Sequence, residues 1–263
     1  MNGTSDDAGK SRIISLFREN VKGKEVVTSK HNTKHCGKEG HWLEERMGIK
    51  HNSRNEPDIN GYEMKKESLK TTLGDFSATE YAFSKNRNII NEMNHWTNDM
   101  TMTRSEFMQY FGNLRSEKKR YSWSGSCIPK FGSWNSCGQI LSVSVDDDIF
   151  IQYSFDKDTR ETKHSLPEIF KSDPIVIAFW KADILKQRIE TKFNQKGFFI
   201  CKKNGGVYDK ICFGKPFNYD YFIQCIKNKK IIFDSGMYDG NSRNYSQFRG
   251  SSFWNELIVE EYS

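Results

Sequence analysis

No run in this chain approaches the roughly eighteen consecutive apolar residues of a membrane-spanning helix, so no membrane partner is expected. The start, MNGTSDDAGKSRII, lacks the basic-then-apolar order of a secretory signal, and the expectation is a cytoplasmic protein. Proline is scarce, at five residues, and neither a long Gly- or Pro-rich linker nor an internal repeat is visible, which points to tightly connected lobes rather than tethered domains. The six cysteines, Cys36, Cys127, Cys137, Cys201, Cys212 and Cys225, include no CxxC pair and no secreted-scaffold spacing, so they are expected as reduced thiols. Cys36 and His41 copy half of a zinc knuckle, but Thr33 and Arg46 stand where its first and last cysteines belong. His31, His35 and His51 are the remaining candidates, and tetrahedral zinc needs four convergent ligands, so the segment is not read as a zinc site.

What is present is enough to build a core. At 263 residues and 36% hydrophobic, the chain reads as one compact body of two lobes, or two small domains. Its net charge of +6 suits a polyanionic partner, although 34 acidic residues require the basic charge to be local. Residues 1–10 have the composition of a disordered tail. Ile13, Ile14, Phe17 and Val21 fall on one side of a short helix. Thr103 or Ser105 caps a helix over 103–114, whose stripe of Phe107, Tyr110, Phe111 and Leu114 reads mainly as core. Arg115, Lys118, Lys119 and Arg120 follow beside Tyr121 and Trp123, a cluster suited either to gripping backbone phosphates or to a solvated loop. The second half is β-rich, with strands expected over 140–145, 149–155, 174–180, 198–202, 207–213 and 230–234. Asp146-Asp147-Asp148 sits between the first two as a solvated hairpin tip rather than a metal site, because consecutive extended carboxylates point apart. Asn204-Gly205-Gly206 is a turn, and 184–193 forms a helix with lysines on its outer face.

The chemistry concentrates in residues 40–65. Leu43 and Met47, four apart, define the apolar side of a short helix stopped by Gly48, with Glu44 at the rim of the buried stripe. After Pro57-Asp58, Gly61 supports a tight turn into a strand whose Tyr62 and Met64 face one way while Glu63 and Lys65 face the other. Three carboxylates and one ammonium are thereby aimed at a single point. Such a set suits Mg²⁺, which takes oxygen ligands from a few carboxylates together with substrate phosphate. It also suits hydrolysis of a phosphodiester, where an ammonium offsets developing negative charge. An Asp-x4-Glu-x-Lys pattern alone is equally that of a solvated strand bearing an ion pair.

Pro57-Asp58 followed by Glu63-Met64-Lys65, with Leu43-Glu44 before it, resembles the catalytic segment of the MvaI and BcnI group of restriction endonucleases. These are relatives of the mismatch-repair nickase MutH within the PD-(D/E)XK nucleases. The resemblance implies an α/β (α+β) fold with a mixed sheet flanked by helices, and two lobes around a DNA cleft. It places a catalytic lobe over 11–134 and a DNA-recognition lobe over 135–263, with interleaving allowed. It also implies that Asp58 and Glu63 bind the metal, that Lys65 is the catalytic lysine, and that Glu44 supports the site, with Glu45 as a rival. Near the C-terminus, Gly236-Met237-Tyr238-Asp239-Gly240 leading to Tyr245 and on through Phe253 is similar to the group's base-reading stretch, with Gln247 and Arg249 where the relatives are rich in histidine. Arginine can bond guanine O6 and N7 together, and glutamine can bond adenine in the same manner, so Arg249 favours a guanine in the site. Tyr238, Arg243, Lys119 and Arg120 complete the expected DNA-binding set. The implied activity is that of a type II restriction endonuclease, Mg²⁺-dependent, cutting duplex DNA at a short, pseudopalindromic site. The enzyme is expected to act as a monomer, with a separate methyltransferase protecting the host. A MutH-like nickase and a non-catalytic DNA-binding protein are the alternatives.

Overall fold

The computed structural model describes residues 4–27, 37–50, 55–172, 174–250 and 252–263. It begins with helices α1 (Thr4–Asn20) and α2 (Lys38–Arg46), then strands β1 (Glu63–Lys66), β2 (Thr71–Asp75) and β3 (Glu80–Tyr81). Helices α3 (Asn88–Asn94) and α4 (Arg104–Phe111) precede β4 (Asn113–Arg115), β5 (Arg120–Trp123), β6 (Lys130–Phe131), β7 (Cys137–Val143), β8 (Ile149–Asp158) and β9 (Ile175–Trp180). Next come α5 (Ala182–Phe193), β10 (Phe198–Asn204), β11 (Val207–Gly214) and α6 (Tyr219–Lys227). The chain finishes with β12 (Ile231–Phe233), β13 (Met237–Tyr238), β14 (Gln247–Gly250), α7 (Phe253–Leu257) and β15 (Ile258–Tyr262). This mixed α+β chain forms two compact units that interleave in sequence: residues 1–71, 187–219 and 251–263 make one, and residues 72–186 and 220–250 make the other.

The first unit is built on a four-stranded sheet in the order β1-β10-β11-β15, in which β1 runs parallel to β10 and the remaining pairs are antiparallel. Strand alternation sorts its side chains. Tyr62 and Met64 turn to the face where Ile13, Phe17 and Val21 of α1 and Trp42, Leu43 and Met47 of α2 pack with Phe199, Cys201, Ile211 and Phe213. That apolar layer leaves Glu63 and Lys65 on the opposite face, as the alternation predicts. Asn204 leads into Gly205 and Gly206, at φ +58° and +92°, a two-glycine turn that closes the β10–β11 hairpin. Helix α1 starts at Thr4, so much of the stretch expected to be disordered is helical. The tethers come from far along the chain: Lys10 Nζ donates to Glu260 at 2.6 Å, and the Gly9 carbonyl accepts from Asn60.

The second unit holds a five-stranded sheet, β3-β9-β8-β7-β6, and two three-stranded ones, β12-β14-β2 and β13-β5-β4. All six residues of β9 are buried, in keeping with their continuous apolar run. Helix α4 has the expected cap, with Thr103 Oγ1 accepting from the Glu106 amide and Glu106 reaching back to the Thr103 amide. Phe107 and Phe111 are fully buried, but the helix stops at Phe111 and Leu114 is half-exposed on β4, outside the stripe assigned to it. At Gly112 the backbone turns extended, at φ −87° and ψ −174°, and leads into β4, where the close Met108 and Ser122 carbonyls leave no room for a side chain at that position. The three aspartates part company as expected. Asp147 pairs with Lys227 at 3.1 Å, Asp148 Oδ1 accepts from the Ala182 amide at 2.7 Å, and Asp146 is exposed. The expectation of reduced thiols is corrected for one pair: Cys127 and Cys137 are joined in a disulfide, with Cα atoms 5.4 Å apart. The turn around Gly125 folds the chain back before β7, a proximity that ten residues of irregular sequence do not announce. Cys201, Cys212 and Cys225 are buried and outside that disulfide.

Candidate active site

The site grows from a two-residue turn. Asn60 and Gly61 both adopt positive φ, at +50° and +83°, and Ile59 and Tyr62 exchange backbone hydrogen bonds across them at 3.1 and 2.9 Å. An Asn-Gly pair supplies that left-handed geometry at low cost. The turn folds Asp58 back against β1, where its Oδ2 accepts from the Met64 amide at 2.8 Å. A carboxylate on one arm of the hairpin thus lies beside Glu63 and Lys65 on the other.

Glu63 is buried at 3% exposure and Lys65 at 8%, so neither charge is hydrated like a surface pair. They compensate each other: Lys65 Nζ donates to Glu63 Oε1 at 2.8 Å. A second ammonium, Lys192 of α5, approaches the same oxygen at 3.0 Å. Glu63 Oε2 is buried with no hydrogen-bond partner. Burial pushes the Asp58 carboxyl up to about 6, and the Glu63 charge pushes the same way against Lys65, the Met64 amide and Lys192. Burial likewise pulls the Lys65 ammonium down, with Glu63 opposing and Lys192 assisting. The Phe193 and Trp254 ring centroids lie 5.6 and 5.9 Å from Lys65 Nζ, apolar surface against the buried ammonium. Asp58 and Glu63 are carboxylates, the latter with a buried oxygen left unbonded, and a divalent cation takes hard oxygen donors of this kind, so these residues fit a metal.

Helix α2 is moored at its first turn. Glu39 takes Lys66 at 2.9 Å, the Tyr208 hydroxyl at 3.1 Å, and Lys203. Partial burial pushes Glu39 upward, but the hydrogen bonds and charges of Lys203 and Lys66 win and hold it at about 2. Farther along α2, Glu44 is half-buried and lies 3.4 Å from His41 Nδ1, whereas Glu45 is exposed. Among the described residues no group of three or more His, Cys, Asp or Glu side chains closes on a single point. The structure therefore joins Asp58, Glu63 and Lys65 with Lys192, and keeps Glu44 on α2 beside His41. Cys36, His31, His35 and His51, the rest of the zinc-knuckle set, lie outside the described residues.

Residues 21–262 match the family model of the LlaMI restriction endonuclease. The chain belongs to the LlaMI restriction endonuclease family. It is 42% identical over 269 residues to the type II restriction enzyme ScrFI of Lactococcus lactis subsp. cremoris, a match covering 95% of this chain and 97% of that relative. Its fold is similar to that of the restriction endonuclease MvaI in complex with cognate DNA, with a TM-score of 0.56, 14% identity, and 100% and 99% of the two chains covered. That likeness concerns the fold, a mixed α+β arrangement shared over the whole chain. As a member of the LlaMI family, the protein is a type II restriction endonuclease.

The base-reading candidates of this LlaMI-family chain all lie in the second unit. Gln247 and Arg249 sit two apart on β14, with Phe248 and Gly250 buried between and after them. The Arg249 guanidinium donates to Gln247 Oε1, and its Nε lies 3.6 Å from Asp234 Oδ2, buried and without a hydrogen-bond acceptor. Arg120 of β5 lies over the Tyr238 ring of β13, 3.4 Å from its centroid, which converts two separate candidates into one stacked pair. Arg243 lies 3.2 Å from Asp75 and 4.5 Å from the Tyr245 ring centroid. Lys119 is exposed in a left-handed turn. Trp123 belongs to the core instead, donating from Nε1 to Gln139 at 2.7 Å. No local pattern marks Arg104, which donates to Asn244 Oδ1 at 3.2 Å and to the Asn241 carbonyl and so ties α4 to the loop bearing Arg243. Lys192 is not on the outer face expected for the lysines of its helix. Lys192 adjoins Phe193 at the end of the Leu185, Ile189, Phe193 stripe, and only its buried acid partner turns it inward.

Proposed function

We propose that this enzyme hydrolyses both strands of duplex DNA at a short, nearly symmetric site, using Mg²⁺ held by Asp58 and Glu63 and the ammonium of Lys65. The observation carrying the proposal is the buried Glu63 carboxylate, gripped on Oε1 by ammonium groups and unbonded on Oε2, beside a second carboxylate at the turn. When bound, a divalent cation supplies Lewis-acid charge against the negative charge that develops on the phosphodiester. Asp58 anchors from the hairpin arm, its orientation fixed by the Met64 amide. Lys65 holds the attacking water and offsets developing charge on the phosphoryl oxygens, and the Phe193 and Trp254 rings keep its surroundings poorly solvated. Glu44 supports the site from α2, and its greater burial favours it over Glu45. Gln247 and Arg249 read base edges. Arg120 with Tyr238, together with Arg243 and Lys119, grips the backbone.

In this reading the enzyme acts as a monomer in the cytoplasm, cutting the strands in succession, and a methyltransferase protects the host DNA. Among the described residues no helix is long and apolar enough to cross a membrane. The test is incubation of purified protein with unmethylated plasmid and phage DNA, with and without Mg²⁺, followed by gel analysis and end sequencing. Discrete Mg²⁺-dependent fragments with a common end sequence are expected, and Lys65→Ala should abolish them while leaving specific binding. Nicked circles alone would move the reading to a strand-specific nickase. Bound but intact DNA would leave only the binding function.

A further inference from the structure

Burying a lysine is costly unless an acid meets it, and a helix-borne lysine far along the chain from β1 has no local reason to face inward. Lys192 nevertheless keeps only 17% of its side chain exposed and reaches Glu63 Oε1 at 3.0 Å, the oxygen that already accepts from Lys65 at 2.8 Å. One such donor would neutralise the carboxylate. Two donors on the same oxygen also fix the rotation of the carboxylate, and they leave Oε2 as its single unbonded, buried atom.

We propose that Lys192 is a positioning residue of the active site, clamping Glu63 Oε1 together with Lys65 so that Oε2 is the oxygen presented to the cation. The proposal rests on the metal role given above to Asp58 and Glu63. Lys192 acts through Glu63 and adds a positive charge near the cation's position. It therefore orients the ligand at some expense of metal affinity. Two opposed effects follow from its removal: the cation binds more tightly, because a like charge has gone, and cleavage at saturating metal slows, because Glu63 loses an anchor.

The test compares full-length wild type with Lys192→Met, which keeps the apolar stem, Lys192→Gln, which keeps a donor without charge, and Lys192→Arg. Thermal melting establishes folding. Binding of Tb³⁺ alone is followed by luminescence sensitised through Trp254, and single-turnover cleavage is measured at saturating Mg²⁺. The expected result is Tb³⁺ affinity raised several-fold in both uncharged variants, with cleavage slowed roughly tenfold or more in Lys192→Met. Lys192→Gln should retain more of the rate than Lys192→Met, and Lys192→Arg should recover most of it. A wild-type cleavage rate in Lys192→Met, or affinity and rate falling together with the melting temperature in both uncharged variants, would overturn the proposal. Glu63→Gln separates the two levels of argument. If it loses Tb³⁺ while Lys192→Met matches wild type, only the role of Lys192 fails. If it binds Tb³⁺ normally, the metal reading fails and this proposal with it.

Discussion

At Asp58 the same burial that assembles the site makes it sensitive to protons. Its carboxyl titrates at about 6 in the fold against 3.8 ordinarily, so in the metal-free protein the protonated form is favoured up to about pH 6 rather than only below about pH 4. A folded-state pKa raised in this way contributes stability that is complete below about pH 4 and is lost as pH rises through about 6. A cation needs the ionised form and must compete with that proton. The predicted outcome is a Mn²⁺-induced rise in melting temperature that is small near pH 5, grows through about pH 6 and then levels off, and that Asp58→Asn removes. Thermal shift at a series of pH values, with and without Mn²⁺, measures it, and a shift independent of pH would contradict the assignment. Arg249 presents a different kind of residue argument. Gln247 accepts from its guanidinium and the Asp234 carboxylate lies 3.6 Å from its Nε, so its planar fork is restrained before DNA arrives. Arg249→Ala is predicted to cost about 1–3 kcal/mol of discrimination at one base pair, a guanine, while changing non-specific binding little. Competition binding against site variants reads this directly. A uniform loss across all sequences would reassign Arg249 to the backbone.

Among the elements, α2 shows how one acid can moor a helix to the sheet that carries the candidate site. Its first turn is tied to β1, β10 and β11 through Glu39, which Lys203 and Lys66 hold at about 2 despite the upward push of partial burial. A carboxyl depressed in this way stabilises the fold fully above about pH 4.5, and the contribution fades as pH falls toward 2. Glu39→Gln is therefore predicted to lower the melting temperature at neutral pH, with the difference from wild type closing on acidification; equal melting at pH 7 would show that the mooring is idle. Local patterns made much of this legible. Leu43 and Met47 marked the buried side of α2, Gly61 marked the turn, and the alternation of Tyr62 and Met64 with Glu63 and Lys65 sorted the two faces of β1, because helix and strand periods are written in neighbouring residues. Lys192, Arg104 and the Cys127–Cys137 bond were not legible. Each takes its meaning from a partner brought in by the fold: an acid on β1, a loop near residue 241, and a thiol across an irregular turn. Leu114 was misplaced for a related reason. The extended backbone at Gly112 ends the helix before the apolar pattern does.

For the molecule as a whole, the modest charge of +6 conceals how unevenly its cations are employed. Lys65 and Lys192 are paired with Glu63, Lys66 and Lys203 with Glu39, and Arg160 with Asp158, so part of their charge is offset locally. Lys119 is exposed, while Arg120 is half-buried and draws on the Tyr238 ring. Arg243 keeps 62% of its side chain exposed despite its proximity to Asp75. DNA affinity of electrostatic origin comes from releasing counterions, and each phosphate neutralised contributes roughly one unit to the slope of log K against log salt. A side chain that contacts phosphate is therefore read out as a change in that slope when it is removed. Lys119→Ala is predicted to reduce the slope by about one unit and to weaken all sequences alike. Arg243→Ala should reduce it by less, because Asp75 already offsets part of its charge. Arg249→Ala should leave the slope nearly intact while altering sequence preference. Fluorescence anisotropy on specific and scrambled duplexes across a salt series distinguishes the three. An undiminished slope in both Lys119→Ala and Arg243→Ala would mean that DNA is held by other cations, and the backbone-gripping role given to this surface would have to be withdrawn.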